Sequence, residues 1–296
     1  MKTTLATVGL GVALAAGCAT APAPAPVGAS AFRPLSADTV FFDGFDGDAL
    51  DRSKWFVRVT GESFGVVNDE QQAYVDSISA VDVVHGVEGA DGGALRLRAN
   101  YRPGTETREG PFDFTSGRID TSDRMTFTYG TAAARMKLPD GTGFWPAFWA
   151  LGEGRWPDTG EIDIMESVGE TDWTGVALHG PGYSGETPLV NKAFFPEGEG
   201  SDGWHVYSVD WTPDAFLFRL DGRLIYRATR PMVEHYGRWA FDNPKYLILN
   251  LALGGAYPVK TNGVTEPYPG LPQATVDRIR AGEAEVLVDW VLVTDR

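Results

Sequence analysis

From about residue 40 to its end, the chain consists of short alternating or apolar segments separated by turn signals. The turns occur at Asp91-Gly92-Gly93, Asp140-Gly141, Thr212-Pro213-Asp214 and Asp221-Gly222. The segments expected to form strands are Ala94–Ala99, Gly117–Thr121, Gly130–Leu138, Phe144–Leu151, Glu161–Ser167, Val206–Trp211, Ala215–Leu220, Leu224–Ala228, Tyr246–Leu253 and Val286–Val293. This pattern predicts an all-β protein built as a sandwich of two antiparallel sheets, with a barrel as the alternative.

Long helices are not expected, because the chain contains 36 glycines and 19 prolines. The plausible helices are short, around Pro231–Tyr236 and Gln273–Ala281. The chain carries 25 Lys+Arg against 40 Asp+Glu, a formal net charge of −15. Such an acidic chain is not suited to bind nucleic acid or an anionic membrane surface. The single cysteine excludes an internal disulfide and a cysteine-based zinc site.

The N-terminal segment has the layout of an export signal. Residues 1–17 form an apolar run with Lys2 as their only charge, which is typical of a secretory signal peptide. Cys18 follows Leu14-Ala15-Ala16-Gly17, a stretch that resembles the lipobox of bacterial lipoproteins, whose cysteine carries lipid. Residues 19–30 form an extended Pro/Ala linker.

We therefore expect a signal peptide at residues 1–17, a lipidated Cys18 and linker at residues 18–37, and a catalytic domain at residues 38–296. The expected location is the periplasm or the surface of a bacterium, with the membrane contacted only through a lipid anchor at Cys18. An ordinary signal peptide, with an incidental cysteine and a secreted product, is the alternative. The expected oligomeric state is a monomer.

The segment Gly160–Ser167 concentrates three acids. Strand alternation places Glu161 and Asp163 on one face and the isoleucines between them on the other. Strict alternation would then bury Glu166 in the core, which costs several kcal/mol for a lone carboxylate. A one-residue bulge near Met165 removes this conflict and brings all three acids to one face.

Three acids on one strand face repel one another, which gives a purely structural strand no benefit. Chemistry benefits, because like charges separate pKa values and leave one carboxylate as a nucleophile and another as a general acid. Retaining glycosidases need such a pair about 5–5.5 Å apart. A calcium site or a solvated acidic edge is the alternative, although ligands from one strand wrap poorly around a cation that takes six to eight oxygens.

Aromatic residues precede the acidic strand. Alternation puts Trp145, Ala147 and Trp149 on one face of Phe144–Leu151 and leaves Phe148 for the core. The connection GEGRWPDTG, with Trp156, predicts a hairpin that lays these tryptophans beside the acids. Because flat aromatic rings stack on the apolar faces of sugars, we expect substrate contacts at Trp145, Trp149 and Trp156.

At these residues the chain resembles family 16 of the glycoside hydrolases, which includes laminarinases and lichenases. The resemblance runs from about Phe42 to Val293 and centres on E-I-D-I-M-E after F-W-P-A-F-W-A-L-G. Further matches are N-D-E-Q-Q-A-Y at Asn68–Tyr74, S-G-R-I at Ser116–Ile119, Y-G-T-A-A-A-R-M-K-L-P-D-G from Tyr129, L-H-G-P-G-Y-S-G at Leu178–Gly185, W-H-V-Y-S-V-D-W-T-P-D from Trp204, Y-L-I-L-N-L-A-L-G-G from Tyr246 and V-D-W-V at Val288–Val291.

The resemblance implies a concanavalin-like β-jelly roll with a cleft across its concave sheet. It also implies retaining, endo-acting hydrolysis of a β-glycan polysaccharide without a catalytic cofactor. Carried over by position, Glu161 is the nucleophile, Glu166 the general acid/base, and Asp163 the group that adjusts Glu161 between them. The extra residue at Met165 and the stretch H-G-P-G-Y-S-G favour a β-1,3-glucanase of the laminarinase type. Mixed-linkage β-1,3-1,4-glucanase and agarase- or carrageenase-like activity are alternatives.

Further positions follow from the same resemblance. Asn68 and Asn250 match cleft positions, and His179 matches a position near the leaving-group side, with a hydrogen-bonded strand histidine as the alternative. Asp289 matches a ligand of the structural Ca²⁺ that many members hold on the convex side. A capping or turn role is the alternative for Asp289. The family often has Arg and Glu where this chain has Thr131 and Ala133, which we interpret as altered sugar contacts.

A binding protein on the same sandwich is the competing class, namely a catalytically silent, glycan-capturing lipoprotein, since a fold alone permits it. The complete E-x-D-x-x-E triplet argues for the enzyme, because a lectin has no reason to keep it. A Ser- or Cys-based hydrolase triad is not supported, since His85, His205 and His235 show no such partners in sequence.

Overall fold

The computed structural model describes residues 38–295. The predicted signal peptide, Cys18 and the linker lie outside the described residues. The strands are β1 (Thr39–Asp43), β2 (Phe56–Val57), β3 (Gln72–Tyr74), β4 (Val81–His85), β5 (Gly93–Arg98), β6 (Asn100–Thr107), β7 (Gly110–Ser116), β8 (Arg118–Asp120), β9 (Gly130–Lys137), β10 (Phe144–Gly152), β11 (Glu161–Glu166), β12 (Trp173–His179), β13 (Val190–Phe194), β14 (His205–Trp211), β15 (Ala215–Leu220), β16 (Arg223–Thr229), β17 (Lys245–Leu253) and β18 (Glu285–Thr294). The helices are α1 (Arg230–Tyr236), α2 (Ala256–Asn262) and α3 (Gln273–Ala281).

Two large antiparallel sheets form the sandwich, as predicted. The outer sheet has the order β16-β15-β14-β9-β18-β5-β4, with β1 also paired to β18. The cleft sheet has the order β13-β12-β11-β10-β17-β8-β2. A third sheet, β3-β7-β6, contains the parallel pair β3–β7 and was not expected. Within residues 38–295, no helix is both long and apolar enough to cross a membrane.

The core lies between the two large sheets. Alternate residues of the cleft sheet, such as Phe148, Ile162 and Leu249, pack in one cluster with outer-sheet residues such as Met136 and Val291. Burying each of these side chains contributes roughly 1.5–3 kcal/mol. Because one face of every central strand is committed to this core, the residues between the core positions point to the opposite face of the cleft sheet.

The bulge predicted near Met165 is present. On one side of β11, Asp163 pairs with Ala177 and Glu166 with Gly175, so three steps on β11 oppose two on β12. The register to β10 shifts at the same place. The extra residue restores the acids to one face after two consecutive core residues.

Most predicted strands and both predicted helices are confirmed to within two residues at either end. The predicted segments did not include β1 to β4, β6, β7, β12 and β13, nor α2. Of these, β1, β2 and β3 pair with strands far along the chain, namely β18, β8 and β7.

Candidate active site

Three carboxyl groups of β11 lie on the concave face of the cleft sheet. Ile162, Ile164 and Met165 are buried in the core, while Glu161, Asp163 and Glu166 face a cleft with an open volume of about 410 Å³. The cleft is lined by Val67, Asn68, Glu70, Arg118, Trp145, Ala147, Trp149, Glu161, Asp163, Glu166, Asn250 and Ala252.

Each of the two glutamates accepts a hydrogen bond from a tryptophan. The indole N–H of Trp145 donates to Glu166 Oε1 at 2.9 Å, and that of Trp156 donates to Glu161 Oε2 at 2.8 Å. Both tryptophans belong to the β10–β11 hairpin and its connection, so the predicted hairpin is confirmed. The donors fix the carboxyl groups and favour their ionised forms.

The pKa values of all three acids are raised. Burial, together with the neighbouring carboxylate of Asp163, raises the pKa of Glu161 from 4.5 to about 8. Burial, with the charge of Glu166, raises the pKa of Asp163 well above its ordinary range. Burial also raises the pKa of Glu166, against the effect of the Trp145 hydrogen bond. The three groups therefore share protons at neutral pH instead of carrying three negative charges.

Asp163 is the best place for a shared proton. It is almost fully buried, whereas Glu161 and Glu166 are half-buried, and neither tryptophan N–H donates to it. A protonated Asp163 can donate a hydrogen bond, which turns repulsion of the Glu161 carboxylate into attraction. This arrangement leaves Glu161 available as an anion.

His179 lies on β12 directly opposite Glu161, and its Nε2 is 3.2 Å from Asp163 Oδ2. The structure thus brings His179 to the acids, as predicted, although it contacts Asp163 and not the open cleft. Ligand atoms of Glu161, Asp163 and His179 lie within 4.8 Å of one another, close enough for a metal ion. Three such groups fall short of the six to eight oxygens of calcium.

A chain of polar contacts runs along the other half of the cleft. Trp149 donates to Asn250 Oδ1 at 2.8 Å, Asn250 donates to the Tyr74 hydroxyl at 3.3 Å, and that hydroxyl donates to Glu70 at 3.2 Å. Asn68 reaches the same carboxyl group from the cleft rim. The predicted cleft positions Asn68 and Asn250 are therefore both in the cleft.

The sequence reasoning missed Arg118 and Glu70. Arg118 lies on β8 beside Asn250, with its guanidinium 4.9 Å from the ring centre of Trp149. Burial raises the pKa of Glu70, while the Gln72 hydrogen bond and the charge of Arg118 oppose the rise. Both residues stand within quoted family matches, S-G-R-I and N-D-E-Q-Q-A-Y, which were the available signal.

The predicted tryptophan contacts differ in accessibility. Trp156 is 47% exposed and offers an open ring beside Glu161. Trp145 is only 9% exposed and packs edge-on against Tyr257, so its role is to hold Glu166, not to offer a broad stacking surface. Trp149 is half-buried, with Arg118 over its ring. Of the three rings, that of Trp156 is the most open, because side chains of Tyr257 and Arg118 pack against the other two.

The interpretation of Thr131 and Ala133 as sugar-contacting positions was also wrong. Both lie on β9 of the outer sheet, where Thr131 donates to Asp210 Oδ1 at 2.8 Å and Ala133 is buried. Neither lines the cleft. Their departure from the family pattern changes contacts within the outer sheet and not the substrate cleft.

Asp289 has partners other than a metal. Its Oδ2 accepts from Arg135 at 2.7 Å and its Oδ1 from the backbone N–H of Asp91 at 2.7 Å, and the carboxylate is buried. Arg135 supplies a complete counter-charge. These contacts form a buried ion pair, and the hydrogen bond from the backbone of Asp91 fits the capping role that was the alternative for Asp289. The calcium ligand stays a prediction.

Comparisons with known proteins identify the family of the chain. The sequence profile of glycosyl hydrolases family 16 matches residues 75–269. The chain belongs to this family. It is therefore a glycoside hydrolase, and the predicted jelly-roll sandwich is confirmed.

Three relatives of this family-16 hydrolase span most of its length. A beta-glucanase of Rhodothermus marinus is 34% identical over 82% of this chain and 84% of its own. The laminarinase catalytic domain of Thermotoga maritima is 30% identical, with a TM-score of 0.71 over 87% of this chain and 98% of its own. The endo-β-1,3-glucanase of Pyrococcus furiosus is 33% identical, with a TM-score of 0.73 over 87% and 95%.

Proposed function

We propose that this family-16 hydrolase is an endo-acting, retaining β-1,3-glucanase, with Glu161 as nucleophile and Glu166 as general acid/base. The observation that carries the proposal is the set of three acids on one bulged strand, with a tryptophan N–H on each glutamate. The cleft sheet presents them along an open groove, as cleavage within a long polymer requires.

In the first step, an oxygen of the Glu161 carboxylate attacks the anomeric carbon of the bound sugar. The glycosidic C–O bond breaks, and the protonated Glu166 gives its proton to the departing oxygen. The product is a glycosyl ester on Glu161. Burial raises the pKa of Glu166, which favours the protonated form that this step needs.

In the second step, the Glu166 carboxylate takes a proton from water, and the resulting oxygen attacks the anomeric carbon. The ester bond to Glu161 breaks, which releases the sugar with its original β configuration. Asp163, holding a proton beside Glu161, stabilises the carboxylate whenever it is free. The residues of this chain perform every proton transfer in the cycle.

A β-1,3-glucan is the proposed substrate because the named relatives include a laminarinase and an endo-β-1,3-glucanase of nearly the same length. A neutral glucan also suits a chain of net charge −15, since its binding needs no electrostatic steering. Mixed-linkage glucan is the second candidate, and the beta-glucanase relative favours testing it.

The test compares wild type, Glu161→Gln and Glu166→Gln on laminarin, mixed-linkage glucan, agarose and carrageenan. We expect release of reducing sugar from laminarin by the wild type alone and, by NMR, initial appearance of the β-anomer. Undiminished turnover by either variant, or initial α-anomer, would overturn the assignment. Circular dichroism of both variants checks that the fold is intact.

We also propose that Cys18 anchors the enzyme to a membrane after export. The support is the apolar run of residues 1–17 and the small residues that precede the only cysteine. Labelled palmitate should be incorporated into the wild type expressed in a bacterium, and Cys18→Ser should abolish incorporation. Equal labelling of both proteins would refute the anchor.

A further inference from the structure

The concave face continues beyond the acids onto the edge strand β13. Paired residues of antiparallel strands point to the same face, and Glu166 pairs with Gly175, which pairs with Lys192. In the next row Trp173 pairs with Phe194. These side chains therefore share the face that carries the catalytic acids.

This part of the face is separate from the cleft described above, whose lining comes from residues on the other side of β11. Val190, Lys192 and Phe194 are exposed, with Val190 at 51% and Phe194 at 61%. Asn191 and Ala193, which alternate with them, point towards the outer sheet or are buried. Val190 and Phe194 flank Lys192 on this face, and neighbouring exposed apolar side chains are more typical of a contact surface than a single one is.

The surface of the cleft sheet between the catalytic acids and β13 carries little side-chain bulk. Gly175 has no side chain, and an added Cβ there would lie 3.3 Å from the Trp173 ring. Trp173 is itself buried in a small cluster with Trp145, Val168 and Ala252. A shallow trough thus leads from Glu166 across β12 to β13, over roughly 10 Å for two strand spacings.

Two side chains at the far end of the trough have complementary chemistry. The Lys192 ammonium lies 3.6 Å from the ring centre of Trp173, which holds its N–H groups above the trough. Phe194 presents an uncovered ring next to it. A flat apolar ring beside a hydrogen-bond donor is the pairing that a sugar needs, with its C–H face stacked and its hydroxyl bonded.

We propose that Val190, Lys192 and Phe194 form an outer sugar-binding subsite, on the side of the acids opposite the cleft. Its occupant is the continuation of the same glucan chain, because an endo-acting hydrolase binds sugars on both sides of the bond it cuts and the trough is continuous with the acids. This inference rests on the proposed function. Phe194 is the stacking residue and Lys192 the donor.

The binding test uses the Glu161→Gln background, in which the polymer stays intact, and affinity electrophoresis in gels that contain laminarin. Adding Phe194→Ala should weaken binding about five- to tenfold, the usual effect of truncating one central aromatic contact. The matched control is Ile78→Ala, which truncates an apolar side chain that is 85% exposed just before β4. It should leave binding unchanged.

The kinetic test measures kcat/KM on β-1,3-gluco-oligosaccharides of increasing length. For the wild type the value should rise until the outer subsite is filled, and for Phe194→Ala or Lys192→Ala it should level off at a shorter length. Superimposable profiles of kcat/KM against oligosaccharide length for wild type and variants, together with equal retardation in the laminarin gels, would overturn the inference. So would a change confined to the monomer–dimer equilibrium in size-exclusion chromatography, which would make a second copy the occupant.

Failure of the proposed function gives a different pattern. If the wild type neither cleaves nor binds laminarin, the β-1,3-glucanase assignment fails by itself, and the same variants are compared on the panel glycan that the wild type does cleave. If no glycan in the panel is cleaved or bound, the proposed function and the subsite both fail.

Discussion

Replacing the nucleophile with its amide should make the protein more stable, and more so as the pH rises. Glu161 has a pKa of about 8 in the folded chain against an ordinary value of 4.5. Between these pH values the folded cluster of Glu161, Asp163 and Glu166 holds a proton that the unfolded chain has released, whichever of the three carboxyl groups carries it. The free energy of unfolding of the wild type therefore falls as the pH rises from about 4.5 to about 8.

The size of the effect follows from that difference. At 1.36 kcal/mol per pKa unit, the change from 4.5 to about 8 corresponds to roughly 5 kcal/mol. Part of this energy reflects repulsion from Asp163, whose own pKa falls once Glu161 is neutral, so the gain should be about 2–5 kcal/mol at pH 8. Well below pH 4.5, where Glu161 is protonated in both states, Glu161→Gln should be close to neutral.

The assay is urea unfolding followed by tryptophan fluorescence at pH 5, 6, 7 and 8. The difference in unfolding free energy between Glu161→Gln and wild type should grow steadily across this series. Glu197→Gln, which neutralises an exposed acid, is the matched control and should give a small, constant difference. A pH-independent difference, or a variant less stable than wild type at pH 8, would refute the electrostatic reasoning. The unfolding free energy that the wild type loses at Glu161 would then not come from a buried negative charge.

Four further outcomes are expected. Trp145→Phe removes the N–H donor to Glu166, which raises the pKa of that carboxyl further. The alkaline limb of the pH–rate profile should therefore move to higher pH, with kcat lowered about tenfold. An unmoved limb would contradict this. Arg135→Met leaves Asp289 buried without a counter-charge and should cost about 3–5 kcal/mol in urea unfolding. Chelation with EDTA should leave the wild-type Tm unchanged, and a fall would instead establish calcium at Asp289. Asn250→Ala removes a cleft acceptor and should raise KM for laminarin about tenfold with a smaller change in kcat, whereas an equal loss in both would indicate a disturbed catalytic centre.

Local pattern was enough to predict the acidic strand and its bulge. Alternation, the cost of burying Glu166 and the run of apolar residues around Met165 all act within a few positions of one another. The same holds for the hairpin to the tryptophan strand, since its connection is short and rich in turn residues. The structure confirms these features because nothing distant opposes them.

Distant contacts explain what the sequence could not predict. Asp289 pairs with Arg135, which stands on a different strand of the outer sheet, 154 positions earlier. Likewise, the sequence does not show that the ring of Tyr257 packs against Trp145. Thr131 and Ala133 were assigned to the cleft because the sequence of a strand does not show which of the two sheets the strand joins.

The sequence by itself determined the sandwich, the one-sided triplet of acids and the tryptophan donors close to them, since side-chain period and turn chemistry are local properties. The tertiary structure decided which rings stay open, which acids lose their negative charge and which counter-ion neutralises Asp289. It also brought Phe194 onto the face of the acids through two strand pairings. Burial and electrostatic environment arise only when residues far apart in the chain are packed together, so no local pattern can contain them.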